Sequence, residues 1–403
     1  MDNVVIAGAG LAGFSVARRL RELNFSGNIA LYGDEGVLPY DRPPLSKKYL
    51  TGAFGAASLL LRSREYYEQQ GIQVRSNQPI LEIDRARERV LFEGGDAPYD
   101  ALVLATGAEA RKLPAEMTRG LSGVFTLRNL IDADSIFQTF AKAQSVAIIG
   151  GGYLGLEIAA TAAQRGLHVT IIEAASRLLQ RVAGHPTADY IRKLHQANGV
   201  IVREGVKPDR FRGLDAVEGV LLSDGSEVAA DCVVVGVGIT PRTELANAAG
   251  LAVANGIVTD SMCRTSDPKI WAAGDCASFP MGGRQVRLES VGNAIEMAEC
   301  VAENIMGTDR EYVARPWFWS DQYDTCLQIV GLGHEHDVIV VRGGGSDQAL
   351  SHWYFGGDKL LAADVINDPK TYMIAKRLIE SGRSPTRQMI GDATTNLKAL
   401  IKG

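Results

Sequence analysis

The sequence is poor in cysteine and has no long hydrophobic run. Its five cysteines all lie in the second half of the 403 residues, none within four positions of another. This spacing excludes the Cys-X-X-Cys pattern of zinc sites and redox dithiols, and it favours free thiols in a reducing compartment. Because no stretch of about 18 consecutive apolar residues occurs, we expect no membrane-spanning helix.

The chain also lacks a basic excess and a leader-like start. Its net charge of −5 leaves no surplus of cations to neutralise phosphates, which argues against a general nucleic-acid binder. Val4-Val5-Ile6 runs directly into Gly8, which leaves no room for a signal peptide, so we expect a cytoplasmic protein. His334 and His336 have no further clustered ligand, and no metal site is predicted.

Two segments, 4–13 and 146–155, repeat one plan of strand, tight turn and helix start. Each is followed by a helix and then by another strand, Asn28–Tyr32 or His168–Glu173. In this glycine spacing the first glycine allows the turn, the second lets the backbone approach a pyrophosphate, and the third allows close helix–strand packing. The sequence therefore predicts two dinucleotide sites, with contacts at Gly8, Gly10, Gly13, Gly150, Gly152 and Gly155.

An acidic residue follows each of these turns. Asp34 or Glu35 lies downstream of the first turn, and Glu173 lies downstream of the second, at about the spacing that binds ribose hydroxyls. A carboxylate accepts hydrogen bonds from a free 2′-hydroxyl and repels a 2′-phosphate, so Glu173 favours NADH. Arg177 and Arg181 follow shortly after and leave NADPH as the alternative.

Further strands end in turns that contain glycine. They are 101–104 before Ala105-Thr106-Gly107, 231–235 before Gly236-Val237-Gly238, and 270–273 before Gly274-Asp275. Strands that alternate with helices predict an α/β fold with parallel sheets. From about Arg315 the pattern changes to a separate α+β domain, with predicted strands 326–330, 338–342, 350–355 and 360–365 and helices 369–381 and 395–401.

The second glycine-rich turn is nested between the turns at 105–107 and 236–238. This nesting resembles the two-dinucleotide flavoproteins with a glutathione-reductase-like fold, in which FAD occupies the first site and the nicotinamide cofactor the inserted one. The resemblance implies two Rossmann-like domains plus a C-terminal α+β domain. Its boundaries are a discontinuous FAD domain, 1–108 and 242–314, an NAD domain, 109–241, and the C-terminal domain, 315–403.

Four sequence blocks carry a more specific resemblance: 39–47 (PYDRPPLSK), 270–277 (IWAAGDCA), 289–294 (ESVGNA) and 316–323 (PWFWSDQY). Together they resemble the FAD-containing ferredoxin reductases of bacterial oxygenase systems, a family related to rubredoxin reductases and to apoptosis-inducing factor. The resemblance covers essentially the whole chain, and the tryptophan-rich block is its most specific part.

The resemblance also implies site residues. It places FAD against Ala12, Glu35, Lys47, Ile80, Ala105, Thr106, Gly107, Arg128, Gly274, Asp275 and Val291. Two further FAD candidates come from the residues themselves: Asp34 by its spacing from the first turn, and Arg42 because its charge can offset that of a phosphate. The resemblance places the nicotinamide cofactor against the second glycine-rich turn together with Tyr153, Leu154, Glu157, Glu173 and Gly238. The catalytic residues that it implies are Lys47 near the flavin N5 edge, Glu157 beside the nicotinamide ring, and Trp319 between flavin and partner protein.

The segment 43–50 contains no cysteine. Glutathione-reductase-like enzymes carry a disulfide there, and peroxide-reducing relatives carry one nucleophilic thiol, so both chemistries are disfavoured. A flavin accepts a hydride and releases its electrons singly, which suits a [2Fe-2S] ferredoxin. The resulting hypothesis is an NADH:ferredoxin oxidoreductase that supplies a P450 or Rieske-type oxygenase. The alternatives are a rubredoxin reductase and a redox-sensing protein like apoptosis-inducing factor.

Overall fold

A computed structural model describes residues 1–344 and 348–402. Its strands, in chain order, are β1 Asn3–Ala7, β2 Asn28–Tyr32, β3 Ile72–Arg75, β4 Ile80–Asp84, β5 Arg89–Phe92, β6 Gly95–Pro98, β7 Ala101–Leu104, β8 Ala108–Ala110, β9 Val124–Thr126, β10 Ser145–Ile149, β11 His168–Glu173, β12 Ile201–Glu204, β13 Pro208–Arg212, β14 Gly219–Leu222, β15 Glu227–Ala229, β16 Cys232–Val235, β17 Ile239–Pro241, β18 Val253–Ala254, β19 Gly256–Val258, β20 Ile270–Ala272, β21 Ala277–Met281, β22 Arg284–Val286, β23 Trp317–Gln322, β24 Thr325–Gly331, β25 Val338–Gly343, β26 Leu350–Gly356 and β27 Lys359–Ile366.

The α-helices are α1 Leu11–Glu22, α2 Arg64–Gln69, α3 Ala115–Thr118, α4 Leu130–Phe140, α5 Tyr153–Gln164, α6 His185–Ala197, α7 Glu244–Ala248, α8 Val291–Ile305, α9 Pro369–Glu380, α10 Arg387–Gly391 and α11 Ala399–Lys402. Short 3-10 helices occur at Pro43–Ser46, Ala56–Leu59 and Gly274–Cys276. In the described part of the chain, no helix is long and apolar enough to cross a membrane.

The residues form two compact units, each assembled from three chain segments. Unit 1 consists of Met1–Arg42, Ala56–Glu109 and Ile239–Pro316. Unit 2 consists of Pro43–Gly55, Ala110–Gly238 and Trp317–Gly403, of which 345–347 and Gly403 lie outside the described residues. The division into FAD, NAD and C-terminal domains, with its boundaries at 108, 241 and 314, stays a prediction.

Unit 1 is built around a five-stranded parallel sheet in the order β20-β7-β1-β2-β3. Strand β7 is buried along its whole length and β1 at all but its first residue, the mark of a parallel sheet covered on both faces. Helices α1 and α8 pack against each other beside this sheet. The chain order reverses between β1 and its neighbours β2 and β7, so ligands are expected at the carboxyl ends of these strands.

Unit 2 contains a second five-stranded parallel sheet, β12-β11-β10-β16-β9, with the same arrangement around β10. It also contains a five-stranded antiparallel sheet, β23-β24-β27-β26-β25, with α9 packed against β24 and β27. Asp368 caps α9 by accepting a hydrogen bond from the backbone N–H of Thr371, and Pro369 occupies the first helical turn. These sheets confirm the predicted fold class.

Small antiparallel sheets complete both units, including β4-β5-β6 in unit 1 and β13-β14-β15 in unit 2. The predicted C-terminal strands agree with β24 to β27 within about two residues, but the helix expected over 395–401 is wrong before Ala399. There, the Asp392 carboxylate accepts hydrogen bonds from Thr394 and Thr395. Such side-chain contacts to the local backbone compete with helix formation, so α11 is only one turn long.

Candidate functional site

The turn after β1 has the geometry of a phosphate-binding turn. Gly8 has φ +124°, and a Cβ at this position would overlap the carbonyl oxygen of Ala105. A Cβ on Gly13 would overlap the carbonyl oxygen of Gly8, so α1 and β1 approach too closely for any side chain. A Cβ on Gly10, by contrast, would have no atom within 4 Å. The first and third glycines are required by packing, and the second leaves its backbone accessible.

The turn after β10 repeats this geometry. Gly150 has φ +108°, and its Cβ would lie 2.5 Å from the carbonyl oxygen of Gly236. A Cβ on Gly155 would overlap the carbonyl oxygen of Gly150, whereas one on Gly152 would again have nothing within 4 Å. In both sheets the first glycine therefore packs against the turn that follows the neighbouring strand.

The helices after these turns begin without side-chain caps. Gly10 and Gly152 are the N-cap residues of α1 and α5, and neither can offer a side-chain acceptor. Asn129 and Ser290, by contrast, cap α4 and α8 through side-chain oxygens. The first N–H groups of α1 and α5 remain available to an anion, which the helix dipole also favours. Both turns therefore fit the pyrophosphate of a dinucleotide.

An ionic cluster follows β2 in unit 1. The Glu35 carboxylate accepts hydrogen bonds from the Tyr40 hydroxyl and from the Arg42 guanidinium. Burial opposes the charge of Arg42, but Tyr40, Glu35 and Asp275 outweigh it and raise the pKa of Arg42. Asp34 instead accepts a hydrogen bond from Arg242 at 2.7 Å and is 42% exposed. Of the two predicted acids, Glu35 is therefore the one in the cluster with Arg42.

Two helix starts converge at Gly274. A Cβ on this residue, which has φ +80°, would lie 2.9 Å from the Cβ of Ala12 in α1 and 3.9 Å from that of Ala294 in α8. Asp275 follows it, and Val291 is the first residue of α8. The close approach brings the predicted contacts Ala12 and Gly274 together.

The remaining predicted FAD contacts are divided between the units. Thr106 donates its hydroxyl to the carbonyl of Arg242, and Gly107 accepts a hydrogen bond from the Arg242 N–H, so the turn after β7 is held within unit 1. Ile80 begins β4 in the same unit. Arg128 belongs to unit 2, where its backbone N–H donates to Asp132 in the capping box of α4.

Glu173, at the end of β11, is bound to the second glycine-rich turn. Its Oε2 accepts from the N–H of Gly151 at 2.6 Å, and its Oε1 accepts from the N–H of Ala175 at 2.6 Å. Arg177 donates to backbone carbonyls of its own loop, and Arg181 is exposed. The carboxylate therefore lies against the turn, and its contact with a ribose stays a prediction.

Other predicted contacts surround this turn. Gly238 has φ +108° and accepts a hydrogen bond from the backbone N–H of Arg111. Tyr153 and Leu154 open α5. The Tyr153 hydroxyl is buried without a hydrogen-bond partner among the described residues, and burial raises its pKa well above the usual value.

A buried ion pair lies at the start of α5 in unit 2. The Lys47 Nζ is 2.8 Å from Oε2 of Glu157, and these side chains are only 16% and 7% exposed. The Ser46 hydroxyl donates to the same oxygen at 2.6 Å, and the Ser320 hydroxyl donates to Oε1 at 2.8 Å. The structure thus joins two of the three predicted catalytic residues and adds two serine donors.

Trp319 lies on the opposite face of β23 from this ion pair. Side chains alternate along a strand, so Phe318 and Ser320 face α5, where Phe318 stacks on Tyr153 with ring centroids 6.3 Å apart. Trp319 stacks on Trp317 at 5.6 Å on the other face. The third predicted catalytic residue is therefore separated from the pair by the thickness of the strand.

Ser46, Ser320, Gln322 and His195 are polar residues that the sequence interpretation missed. In a strand, residues two positions apart share a face, so a strand over the block 316–323 places Ser320 and Gln322 on the same face. Treating that block as a strand would therefore have identified both residues. Nothing in the sequence of α6 distinguishes His195, which is fully buried.

All five cysteines are free. Burial raises the pKa of Cys232 and of Cys326 to about 12, which keeps both protonated. Across residues 1–344 and 348–402, no group of three or more histidine, cysteine, aspartate or glutamate side chains is placed to hold a metal ion.

Known proteins share this arrangement of sheets and turns. Residues 2–298 match the family described as pyridine nucleotide-disulphide oxidoreductase, and residues 317–401 match the one described as reductase C-terminal. The chain belongs to the pyridine nucleotide-disulphide oxidoreductase family. Within this family, it is 42% identical to the putidaredoxin reductase of Pseudomonas putida over 99% of this chain and 97% of that protein. It is 38% identical to the ferredoxin–NAD(+) reductase component of the anthranilate 1,2-dioxygenase system of Burkholderia cepacia, over 99% of each.

Solved structures of the family extend the match to three dimensions. The ferredoxin reductase for the CYP199A2 system of Rhodopseudomonas palustris has a TM-score of 0.96 at 39% identity, with 99% of each chain covered. The covalent putidaredoxin reductase–putidaredoxin complex has a TM-score of 0.95 at 41% identity, covering 100% of this chain and 98% of that one. The resemblance to ferredoxin reductases of bacterial oxygenase systems is confirmed.

Proposed function

We propose that this protein is an NADH-dependent ferredoxin reductase that supplies electrons to an oxygenase. The observation that carries the proposal is the buried Lys47–Glu157 pair at the helix start after the second dinucleotide turn. Lys47 provides a charged group for two-electron chemistry, and the segment 43–50 to which it belongs contains no thiol. The family match and the relatives of oxygenase systems support the same activity.

The protein uses FAD and NAD(H). FAD is assigned to the first turn and the segments 1–108 and 242–314, where Glu35 binds the adenosine ribose and Arg42 offsets phosphate charge. NAD(H) is assigned to the second turn and 109–241, where Glu173 binds the ribose. The accessible backbone of Gly10 and of Gly152 supports these assignments. The C-terminal domain, 315–403, contributes β23 and its tryptophans.

Glu173 favours NADH over NADPH. Its carboxylate is fixed against the turn by two backbone donors and remains an acceptor for a ribose hydroxyl. A 2′-phosphate at that place would meet a negative charge. Arg177, whose guanidinium donates to its own loop, is occupied elsewhere.

Lys47 and Glu157 are proposed to form the catalytic pair. When bound, FAD would supply two-electron reduction by NADH and one-electron release to an acceptor protein. Lys47 holds a positive charge where the flavin becomes electron-rich, and Glu157 positions the nicotinamide side of the site. The low exposure of both residues strengthens their electrostatic effect, because little water screens them.

The proposed electron acceptor is a [2Fe-2S] ferredoxin. The match to putidaredoxin reductase in covalent complex with putidaredoxin supports a transient complex of this type. Trp319 is proposed to lie between flavin and partner, where its stacked neighbour Trp317 extends the aromatic surface. The proposed destination of the electrons is a P450 or Rieske-type oxygenase. A reducing cytoplasm is the proposed location, which the five free thiols favour.

A rubredoxin reductase is the second candidate. A relative named rubredoxin-NAD(+) reductase, from Ectopseudomonas oleovorans, is 38% identical over 91% of this chain. The two candidates share the NADH half of the reaction and differ in the acceptor protein alone.

Stopped-flow absorbance with the FAD-loaded protein tests the proposal. NADH should reduce the flavin rapidly, and the reduced protein should then transfer electrons to at least one [2Fe-2S] ferredoxin faster than to a free dye. Faster transfer to rubredoxin than to every ferredoxin would support the second candidate. Slow transfer to every acceptor, with an NADH-dependent change in oligomeric state, would instead favour a redox-sensing protein.

A further inference from the structure

A continuous chain of hydrogen bonds leads from the Lys47–Glu157 pair into the interior of unit 2. The Ser320 hydroxyl donates to Oε1 of Glu157, and the Gln322 amide lies 3.0 Å from the Ser320 oxygen. His195 Nε2 is 2.9 Å from Oε1 of Gln322. The chain ends where the Tyr323 hydroxyl lies 3.1 Å from Nδ1 of His195.

The direction of every bond follows from the chemistry of its ends. Oε1 of Gln322 only accepts, so His195 carries a proton on Nε2. Because the His195 imidazole is neutral, its Nδ1 accepts from the Tyr323 hydroxyl. The Gln322 NH₂ must then donate to Ser320, whose own proton goes to the carboxylate. All four donors therefore point toward Glu157, and aligned hydrogen bonds of this kind polarise one another.

The middle of this hydrogen-bond chain is isolated from solvent, whereas Tyr323 at its outer end is half-buried. Ser320 and His195 are fully buried, and Gln322 is 1% exposed. Burial lowers the pKa of His195 to about 4, so the imidazole is neutral at physiological pH. Buried polar groups are costly unless they form hydrogen bonds, and the side chains of Ser320, Gln322 and His195 form theirs with their neighbours in this hydrogen-bond chain.

The outer end of the chain adopts an unfavourable backbone conformation. Tyr323 has φ +57° in the tight turn between β23 and β24. This left-handed region disfavours bulky residues and is tolerated where the surroundings require it. Here it places the Tyr323 ring edge-on to His195, with centroids 5.3 Å apart.

We propose that Ser320, Gln322 and His195 are positioning residues that fix the Glu157 carboxylate and, through it, the Lys47 ammonium. The inference rests on the proposed function and extends it to residues outside the cofactor motifs. A carboxylate bound by Ser46 and Lys47 on one oxygen would still rotate; the Ser320 donor on the other oxygen removes that freedom. Hydride transfer depends on such alignment.

Ser320→Ala tests the chain, with Ser351→Ala as its matched control. Ser351 is also a buried serine in the antiparallel sheet, and it bonds to Trp353 instead of Glu157. Stopped-flow titration with NADH separates the limiting rate of flavin reduction from the apparent dissociation constant. We expect Ser320→Ala to lower the limiting rate about tenfold, the effect of losing one hydrogen bond to a charged group, with little change in NADH affinity. Ser320→Thr, which keeps the hydroxyl, should restore most of the rate.

Nitrogen-15 NMR of histidine-labelled holoprotein supplies a readout that is independent of turnover. The His195 ring, assigned by comparison with His195→Gln, should be neutral with its proton on Nε2 at pH 7. Glu157→Gln should shift its nitrogen resonances through the intervening bonds. A His195 proton on Nδ1, or a Ser320→Ala rate equal to that of Ser351→Ala, would overturn the inference. Failure of NADH to reduce the wild-type flavin would instead overturn the proposed function.

Discussion

The Nζ of Lys47 lies 2.8 Å from Oε2 of Glu157, and neither side chain is more than 16% exposed. The two residues are 110 positions apart in the chain and meet because the 3-10 helix at Pro43–Ser46 packs against α5. The Glu157 charge is compensated by Lys47 and by the two serine hydroxyls, and the Lys47 charge by Glu157 and by the Pro43 carbonyl. Breaking a buried pair by removing one partner costs more than removing both.

Lys47→Met should therefore lower the free energy of unfolding by about 3 kcal/mol, because it leaves the Glu157 carboxylate buried with hydroxyl donors alone. Lys47→Met combined with Glu157→Gln should recover most of this loss. Chemical denaturation of the FAD-saturated variants, arranged as a double-mutant cycle, measures the coupling. Additive effects of the two substitutions would show that the pair does not stabilise the fold.

The glycines of the second turn should separate folding from cofactor binding. Gly150→Ala should reduce folding yield and thermal stability, since its Cβ would lie 2.5 Å from the Gly236 carbonyl at φ +108°. Gly152→Ala meets no protein atom within 4 Å and should fold normally. It should nonetheless weaken NADH binding at least about tenfold, because the pyrophosphate approaches this backbone. Thermal melting and NADH titration measure the two effects, and normal NADH affinity in Gly152→Ala would contradict the assignment.

Glu173→Gln should reduce the preference for NADH over NADPH by about tenfold, since the substitution removes the charge that repels a 2′-phosphate. The measurement is the ratio of kcat/KM for the two cofactors. Glu204→Gln is the matched control, because Glu204 lies opposite Glu173 on the neighbouring strand β12. Its carboxylate accepts hydrogen bonds from the Leu178 N–H and the Arg192 guanidinium instead of from the glycine-rich turn. An equal change of the ratio in both variants would point to a general electrostatic effect.

Stability should rise as the pH is raised from about 4 to 6.5. Burial lowers the pKa of His195 and of His352 from 6.5 to about 4, so in this range the unfolded chain binds more protons at these two residues. Asp364 opposes the trend, because burial raises its pKa from 3.8 to about 6. Between these values the folded state binds more protons at Asp364 than the unfolded chain does, so this residue lowers stability as the pH rises. The combined effect of the two histidines on the free energy of unfolding exceeds the opposite effect of the one aspartate. Melting temperatures across this range test the sign, and His352→Gln should flatten the slope.

The sequence predicted the parallel sheets better than the small ones. Strands β2, β7 and β11 have the predicted bounds, because short runs of apolar and β-branched residues between turns are a strong strand signal. The hairpins β4–β6 and β13–β15 were not predicted. Strands β4 and β13 are mostly exposed or half-buried, with one buried residue each and no strict alternation, so no local pattern marks them.

The site residues that were predicted are those indicated by the glycine-rich motifs or by the family resemblance. Lys47 and Glu157 came from the resemblance, and the structure joins them. Ser320 was not predicted as a site residue, because the interpretation of its block relied on the tryptophans. The alternation of side chains along a strand alone places Ser320 on the face opposite to that of Trp319. His195 was beyond prediction, since its link to Glu157 passes through Gln322 in a strand more than 100 residues away.

The strand order of unit 1 bears on how the chain acquires its structure during synthesis. Strand β20, residues Ile270–Ala272, supplies one edge of the sheet that β1 begins. The parallel sheet of unit 2 lies wholly within residues 124–235, so its strands are all synthesised before β20. Until β20 emerges, β7 presents an unpaired edge, which exposes the nascent chain to aggregation. Of the two parallel sheets, the one that is started first is finished last, and translation pauses before residue 270 should prolong dependence on chaperones.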